Sequence, residues 1–174
     1  MNKLKSGTSA FGHSSICQIC SNTNLQIILK YGHQCSVHGH RTKEQLNEEE
    51  VYYPLNLCFC TNCFLVQIDY IVDPTKVFYP EYPYMTSLTN MLVNNFKELA
   101  QKCCKQFLGP HDLIVDIGSN DGSLVKCFQE KGFKVLGIEP TNISRIANDR
   151  GINTWQEFFN SETVHKIIQE YGKA

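Results

Sequence analysis

Nine cysteines in a chain of 174 residues are the first feature of this sequence that could do chemistry. Cys17 and Cys20 form one C-x2-C pair, and Cys58, Cys60 and Cys63 form a C-x-C-x2-C cluster. A C-x2-C turn places two thiolates on the same side of a bend, and two such turns supply the four soft ligands that zinc prefers. The spacing therefore predicts a structural zinc site with no coordination position left for water. The predicted ligands are Cys17, Cys20, Cys60 and Cys63.

Other ligand sets remain open at this stage. Cys58 competes with Cys60, but two thiols two residues apart on a strand share a face without forming the turn, so Cys60 is preferred. Besides Cys58, four residues with a nitrogen or sulfur ligand atom lie between the two pairs: His33, Cys35, His38 and His40. Each histidine is interpreted as an exposed loop residue. Iron is an alternative to zinc, because tetrahedral sulfur sites accept both metals. The odd number of cysteines and the absence of a predicted signal peptide argue against a disulfide framework.

A second group of residues forms a glycine-containing turn after an apolar run. Residues 113–117 predict a short strand, and residues 118–122 predict a turn that leads into a helix. Glu139 ends the next predicted strand, where a carboxylate can accept hydrogen bonds from both ribose hydroxyls of an adenosine. Strand, loop, helix and spaced acid together predict a nucleoside-binding loop. An ordinary turn in which Asp121 caps the helix is the alternative.

Charge favours one adenosine ligand over another at this loop. Asp116 and Asp121 would repel the pyrophosphate of a dinucleotide at the helix N-terminus. Asn120 occupies the second glycine position, where pyrophosphate needs close approach to the backbone. S-adenosylmethionine has no phosphate and carries an ammonium and a sulfonium, which carboxylates stabilise. We therefore expect S-adenosylmethionine, with a nicotinamide dinucleotide as the weaker alternative.

The elements that must position these groups are predicted from hydrophobic patterns. Residues 1–13 lack a hydrophobic period and predict a flexible tail, and residues 14–70 predict a small β-rich zinc-binding domain. Its strands are predicted at Leu25 to Leu29, Leu55 to Phe59 and Phe64 to Ile68, with a solvated loop over Gly39 to Glu50.

The rest of the chain predicts helices and parallel strands. Residues 71–110 predict an extended, proline-rich connector and a helix capped by Ser87. The predicted core-facing side of that helix comprises Leu88, Met91, Leu92, Phe96, Leu99, Cys103 and Phe107. Residues 111–174 alternate strand and helix patterns, which predicts a parallel sheet of βαβ units. The overall fold class predicted is α/β.

Composition excludes several classes of protein. Lys and Arg number 16 against 17 Asp and Glu, so the formal net charge is −1 and nucleic acid binding is not expected. No apolar run approaches the roughly 20 residues of a membrane span. We expect a cytoplasmic protein that does not insert into a membrane.

Five stretches of the sequence together resemble a known family. They are Cys17-Gln-Ile-Cys20, Tyr53 to Gln67, Glu81 to Ser87, Val115 to Leu124 and Leu136 to Pro140. In this order they resemble sugar C-methyltransferases that act on nucleotide-linked deoxy-keto-sugars, in which an N-terminal zinc-binding domain precedes an S-adenosylmethionine domain. The chain differs from that family at a histidine position, where it has Asn94 and Asn95, and at a proline position, where it has Cys35.

The resemblance implies a role for each matching residue. It assigns zinc to the four cysteines named above, and it assigns S-adenosylmethionine to Asp116, Gly118, Asp121, Gly122 and Glu139. It also implies that a tyrosine of residues 82–84 enters the sugar site, and Tyr84 is the expected one. The family reaction removes a proton beside the sugar ketone, and the resulting enolate attacks the sulfonium methyl group.

The family is more than twice as long as this chain, so we expect the chain to be an N-terminal portion that includes the first half of a Rossmann-like domain. Such a portion is expected to hold zinc, to bind S-adenosylmethionine weakly if at all, and not to turn over alone. The competing hypotheses are a zinc-stabilised interaction module and one half of a split enzyme. Either would self-associate or bind a C-terminal partner chain.

Overall fold

The chain forms two compact units, separated in the sequence between Val77 and Phe78. The computed structural model describes residues 11–37 and 39–173. Residues 1–10 of the predicted tail lie outside the described residues, whereas Gly12 and His13, also predicted as tail, form a short strand. The predicted domain boundaries stay predictions. None of the helices in the described part of the chain is long and apolar enough to cross a bilayer.

The first unit consists mainly of antiparallel strands. Its strands are β1 (Gly12–His13), β2 (Leu25–Gln34), β3 (Tyr53–Cys60), β4 (Val66–Ile68) and β5 (Tyr70–Ile71), and it also contains the one-turn helix α1 (Pro74–Val77). The segment predicted as a solvated loop includes an exposed 3-10 turn over Glu44–Asn47. Strands β2, β3 and β4 form one sheet in that order, and β1 pairs with β5. Each strand predicted over residues 14–70 overlaps one of the three strands of this sheet.

The interior of the first unit contains little aliphatic material. Among the described residues up to Val77, the buried apolar side chains are Cys17, Cys58 and Cys60. Gln67 and Asp69 are buried polar neighbours. A unit of this size without a hydrocarbon core needs another source of stability, such as a metal.

The second unit is a parallel α/β arrangement. Its elements are α2 (Asn90–Gln106), β6 (Leu113–Ile117), α3 (Ser123–Gln129), β7 (Lys134–Ile138), α4 (Ile143–Asp149), β8 (Thr154–Trp155) and α5 (Ser161–Tyr171). The strands lie in the order β6, β7, β8, and both pairs are parallel. The predicted mixed α/β class is confirmed, whereas the Rossmann-like assignment stays a prediction.

Apolar side chains cover both faces of this sheet. Successive residues of β7 point to opposite faces, so Val135 packs in one cluster and Leu136 and Ile138 pack in the other. The first cluster also contains Ala100 of α2, Val125 and Phe128 of α3, and Ala147 of α4. The second includes Ile167 of α5. Burial on both faces fixes the register of β7, so the carboxyl ends of β6 and β7 are held side by side.

Three local predictions were wrong. Helix α2 begins at Asn90 after Thr89, and Ser87 lies instead in a 3-10 turn over Thr86–Leu88.

The core-facing side predicted for this helix was wrong in part, because α2 turns Phe96, Ala100 and Cys103 toward the core. The exposed members of the predicted side are Leu88, Met91, Leu99 and Phe107. The connector predicted as non-helical contains α1, since Pro74 suits the first turn of a helix and Asp73 accepts a hydrogen bond from the Thr75 amide.

Candidate metal centre and glycine-loop site

Two knuckles of the same geometry carry the four clustered cysteines. In the first, the Cys17 amide donates to the Asn22 carbonyl at 2.8 Å, and the Ser21 amide donates to the Cys17 carbonyl at 2.9 Å. In the second, the Cys60 amide donates to Leu65 at 2.8 Å, and Phe64 donates to the Cys60 carbonyl at 3.0 Å.

The fifth residue of each knuckle adopts the left-handed conformation, with φ of 59° at Ser21 and 64° at Phe64. This turn reverses the chain so that both cysteines of a pair point to one side.

The four sulfurs converge on a single point. The Sγ atoms of Cys17 and Cys63 lie 3.5 Å apart, as do those of Cys20 and Cys60, and all four lie within 4.8 Å of one another. Zinc–sulfur bonds of about 2.3 Å in a tetrahedron would place neighbouring sulfurs roughly 3.8 Å apart. The donor set and its spacing therefore fit a four-thiolate zinc ion.

The four thiols affect the pKa values of one another. The side chain of Asn62, followed by the backbone of Asn22, lowers the pKa of Cys20 to about 6. The backbone of Leu65 lowers the pKa of Cys63, but burial and the three neighbouring sulfurs outweigh it and raise that pKa to about 12. Four negative sulfurs at this spacing repel one another unless a cation neutralises them.

The alternative ligands lie away from the cluster. Cys58 is buried, and burial, followed by the charge of Asp69, raises the pKa of its thiol. His33, Cys35 and His40 are exposed and belong to no group of ligand atoms among the described residues. His40 lies in a loop as expected, but the loop prediction was wrong for His33, which lies in β2. His38 lies outside the described residues.

The glycine loop lies at the carboxyl ends of β6 and β7. The amides of Gly118 and Ser119 both donate to the Ile138 carbonyl, at 2.8 and 3.1 Å. Gly118 has φ of 75°, and a Cβ atom there would meet nothing within 4 Å. Gly122 has φ of 76°, but a Cβ atom there would lie 2.8 Å from Ile152. The space beside Gly118 is thus unfilled by protein atoms, whereas Gly122 is required for packing.

The three acids predicted to bind cofactor have different surroundings. Asp121 is fully buried, and its oxygens accept hydrogen bonds from Thr86, Ser87 and Ser123. The Arg150 guanidinium forms an ion pair with the same carboxylate at 3.1 Å. Burial alone raises the pKa of Asp121, but the hydrogen bonds outweigh it and hold the pKa well below its usual range. The structure therefore gives Asp121 a role in holding the loop.

Asp116 is the last residue but one of β6, and Glu139 directly follows β7. The Glu139 carboxylate is buried and accepts from the amides of Asn120 at 3.0 Å and Thr141 at 2.9 Å. Asp116 is partly buried and has no ion pair with a basic side chain among the described residues. Burial, followed by the negative charge of Glu139, raises the pKa of Asp116. A cation beside Asp116 would remove that penalty.

A tyrosine-rich segment lies beside this loop. The Asn120 side chain donates to the Tyr84 carbonyl at 3.0 Å and accepts from the Thr86 amide at 2.9 Å. Burial, followed by the charge of Glu139, raises the pKa of Tyr82, and Tyr84 is 39% exposed. The structure thus brings the predicted Tyr84 segment to the predicted cofactor loop.

Sequence reasoning missed Asn120, Thr86 and Arg150 as contributors to this arrangement. Asn120 was counted as a departure from a glycine pattern, yet asparagine is one of the few residues that tolerate the left-handed conformation, here with φ of 52°. This tolerance is the sequence signal that could have identified Asn120 as a residue that shapes the loop. Nothing in the sequence pattern pointed to Arg150.

Two comparisons with known proteins agree with this geometry. A protein-family model described as "Putative zinc binding domain" matches residues 17–78, a range that begins at Cys17 and contains all four clustered cysteines. The chain is also 26% identical over 160 residues to the C-methyltransferase NovU of Streptomyces niveus. That alignment covers 91% of this chain and 38% of NovU. The resemblance inferred from the sequence is confirmed: the chain is similar to the N-terminal portion of a C-methyltransferase, and residues 17–78 match a zinc-binding domain model.

Proposed function

We propose that this chain is the zinc-binding and donor-binding part of an S-adenosylmethionine-dependent C-methyltransferase that acts on a nucleotide-linked deoxy-keto-sugar. Zinc is held by Cys17, Cys20, Cys60 and Cys63 and stabilises the first unit. Reduced thiolates of this kind suit the cytoplasm, where we place the protein.

The surroundings of Asp116 support the donor site more than any other observation. Asp116 lies at the carboxyl end of β6, two residues before Gly118, and its carboxylate is close enough to Glu139 for the two charges to interact. It has no basic partner among the described residues. Ligands of parallel α/β sheets bind at this edge. A ligand with an ammonium or a sulfonium is stabilised there, whereas a pyrophosphate is repelled.

Each residue has a defined task in this proposal. Gly118 leaves room for the ligand, Asp116 balances its positive charge, and Glu139 accepts hydrogen bonds from ribose hydroxyls with the lone pairs that the loop amides leave available. S-adenosylmethionine, when bound, supplies an electrophilic methyl group. Tyr84 contacts the sugar from the neighbouring segment. The base that removes the sugar proton is not assigned to any residue of this chain.

Titration calorimetry with Asp116→Asn tests the donor site. We propose that S-adenosylmethionine binds the unaltered chain weakly and that Asp116→Asn weakens this binding about tenfold further, because a charge-assisted contact is lost. Asp149→Asn, an exposed carboxylate at the end of α4, is the matched control and should bind as the unaltered chain does. Tighter binding of NADH than of S-adenosylmethionine would contradict the proposal.

A methyl-transfer assay tests the substrate class. The chain is incubated with labelled S-adenosylmethionine and a keto-deoxysugar nucleotide, with and without the remaining part of a full-length relative. We expect transfer only in the presence of that part. Transfer by the chain alone would overturn the expectation that it does not turn over by itself.

An interaction module or half of a split enzyme is the second candidate. Strand β6 is an edge strand, and beside it Ile117, Phe159 and Ile168 are 57%, 43% and 45% exposed. Together with Val115 they line an apolar groove. Size-exclusion chromatography of the chain, alone and mixed with a C-terminal polypeptide, distinguishes self-association from complementation. A chain that stays monomeric alone and does not bind the polypeptide would exclude this candidate.

A further inference from the structure

A network of hydrogen bonds joins the tyrosine segment to the glycine loop. We call the side chains of Asn120, Asp121 and Arg150 the clamp. Asn120 binds the main chain of Tyr84 and of Thr86. Asp121 accepts from the Thr86 hydroxyl at 2.6 Å and from the Ser87 amide at 3.1 Å.

Arg150 completes the clamp from the end of α4. Its guanidinium lies 3.1 Å from the buried Asp121 carboxylate and 3.5 Å from the Ser87 hydroxyl. Burial of a carboxylate costs free energy unless the group is paired and hydrogen-bonded. The buried Asp121 therefore favours the arrangement in which Thr86 and Ser87 donate to it.

Asn120 also connects the clamp to the predicted ribose acid. Its amide donates to Glu139 at 3.0 Å, while its side chain binds the tyrosine segment. A ligand that binds Glu139 and orders the loop therefore also orders Asn120, which donates to the Tyr84 carbonyl.

We propose that the clamp couples occupancy of the glycine loop to the placement of Tyr84, so that a bound adenosyl ligand and an ordered tyrosine segment stabilise each other. This inference rests on the proposed function for the identity of the ligand. Asn120, Thr86 and Arg150 are positioning residues, because they act on the site through the backbone of Tyr84 to Ser87 and the loop. Such coupling is reciprocal, so loosening the segment must loosen the loop and weaken the ligand by the same factor.

Thr86→Val and Thr86→Ser form a matched pair that tests the coupling. Valine keeps the shape of threonine but removes the donor to Asp121, whereas serine keeps the donor. Hydrogen exchange of the full chain without ligand should show faster exchange at the amides of Asn120 and Ser123 in Thr86→Val, by about tenfold for one charge-assisted hydrogen bond. Thr86→Ser should exchange as the unaltered chain does.

A binding measurement provides the second readout. S-adenosylhomocysteine should bind Thr86→Val about tenfold more weakly than Thr86→Ser. Asn120→Gly is a further variant if Thr86→Val fails to fold, because glycine keeps the left-handed conformation and removes only the side-chain bonds. It should also accelerate exchange at the Thr86 amide.

The outcomes separate the two proposals. Unchanged loop exchange in both Thr86→Val and Asn120→Gly, or equal behaviour of valine and serine at position 86, would overturn the coupling. Failure of S-adenosylhomocysteine to bind the unaltered chain would contradict the proposed function, and the ligand-free exchange would still decide whether the segment and the loop are coupled.

Discussion

Cys58 and Cys60 have the same side chain and lie two residues apart on β3, yet only Cys60 joins the sulfur cluster. Cys60 is the first residue of a knuckle, where the hydrogen bonds to Leu65 and Phe64 turn the chain back. Cys58 precedes the turn and has a raised thiol pKa from burial and from the Asp69 carboxylate. The local backbone, more than the residue type, decides which cysteine is available to a metal.

Substitution by serine therefore has different effects at these two positions. We expect Cys60→Ser to reduce bound zinc from one ion per chain to a small fraction, because three thiolates and a hydroxyl hold zinc much less tightly. Cys58→Ser, which keeps a donor near Asp69, should retain one zinc ion. Metal analysis of the purified variants measures both, and loss of zinc from Cys58→Ser with retention in Cys60→Ser would contradict the ligand assignment.

At the scale of elements, turns with positive φ set both candidate sites. Ser21 and Phe64 close the two knuckles, and Gly118, Asn120 and Gly122 shape the loop between β6 and α3. Within this loop, Gly122 packs against the fully buried Ile152. The conformation of the loop therefore depends on packing against the core of the second unit.

Gly122→Ala tests that support, with Gly151→Ala as its control. Both glycines have φ near 76°, so each substitution costs about 1–2 kcal/mol of backbone strain. A Cβ atom at Gly122 would also lie 2.8 Å from Ile152, whereas one at Gly151 would meet nothing within 4 Å. We expect Gly122→Ala to lower the free energy of unfolding by about 1–3 kcal/mol more than Gly151→Ala.

Urea denaturation followed by the fluorescence of Trp155, the single tryptophan, measures this difference in the second unit. Equal losses for the two variants would mean that Ile152 adjusts without cost.

At the scale of the whole molecule, the two units differ in what holds them together. The buried apolar side chains of the first unit, among its described residues, are cysteines, whereas the second unit has two aliphatic clusters on the faces of a parallel sheet. Apparent binding free energies of structural zinc are about 10–16 kcal/mol, which is enough to determine whether such a small unit folds. The stability of the first unit should therefore depend on metal, and that of the second should not.

Removal of zinc by a chelator under reducing conditions should unfold the first unit selectively. We expect the amides of β3 to lose protection from hydrogen exchange while those of β6 and β7 keep theirs and Trp155 fluorescence stays unchanged. Addition of zinc should restore the protection. Retained protection in β3 after complete metal removal would show that the strands do not require the ion.

The sequence predicted much of this architecture because its signals are local. Paired cysteines indicate knuckles through spacing alone, and the alternation of apolar runs with helical patterns indicated strands and helices over residues 111–174. The exposed face of α2 was mispredicted because a wide apolar stripe does not reveal which part of it contacts the core.

The sequence by itself determined which residues could hold a metal and where the glycine loop lies, since both follow from short-range spacing. Only the tertiary structure decided that Asp121 is buried and paired with Arg150, that Asp116 lacks a basic partner among the described residues, and that Asn120 holds the Tyr84 segment. These outcomes depend on contacts between residues about 30 positions apart, such as Asp121 and Arg150. A side chain's partners and its exposure to water are set by packing between elements, which no pattern along the chain records.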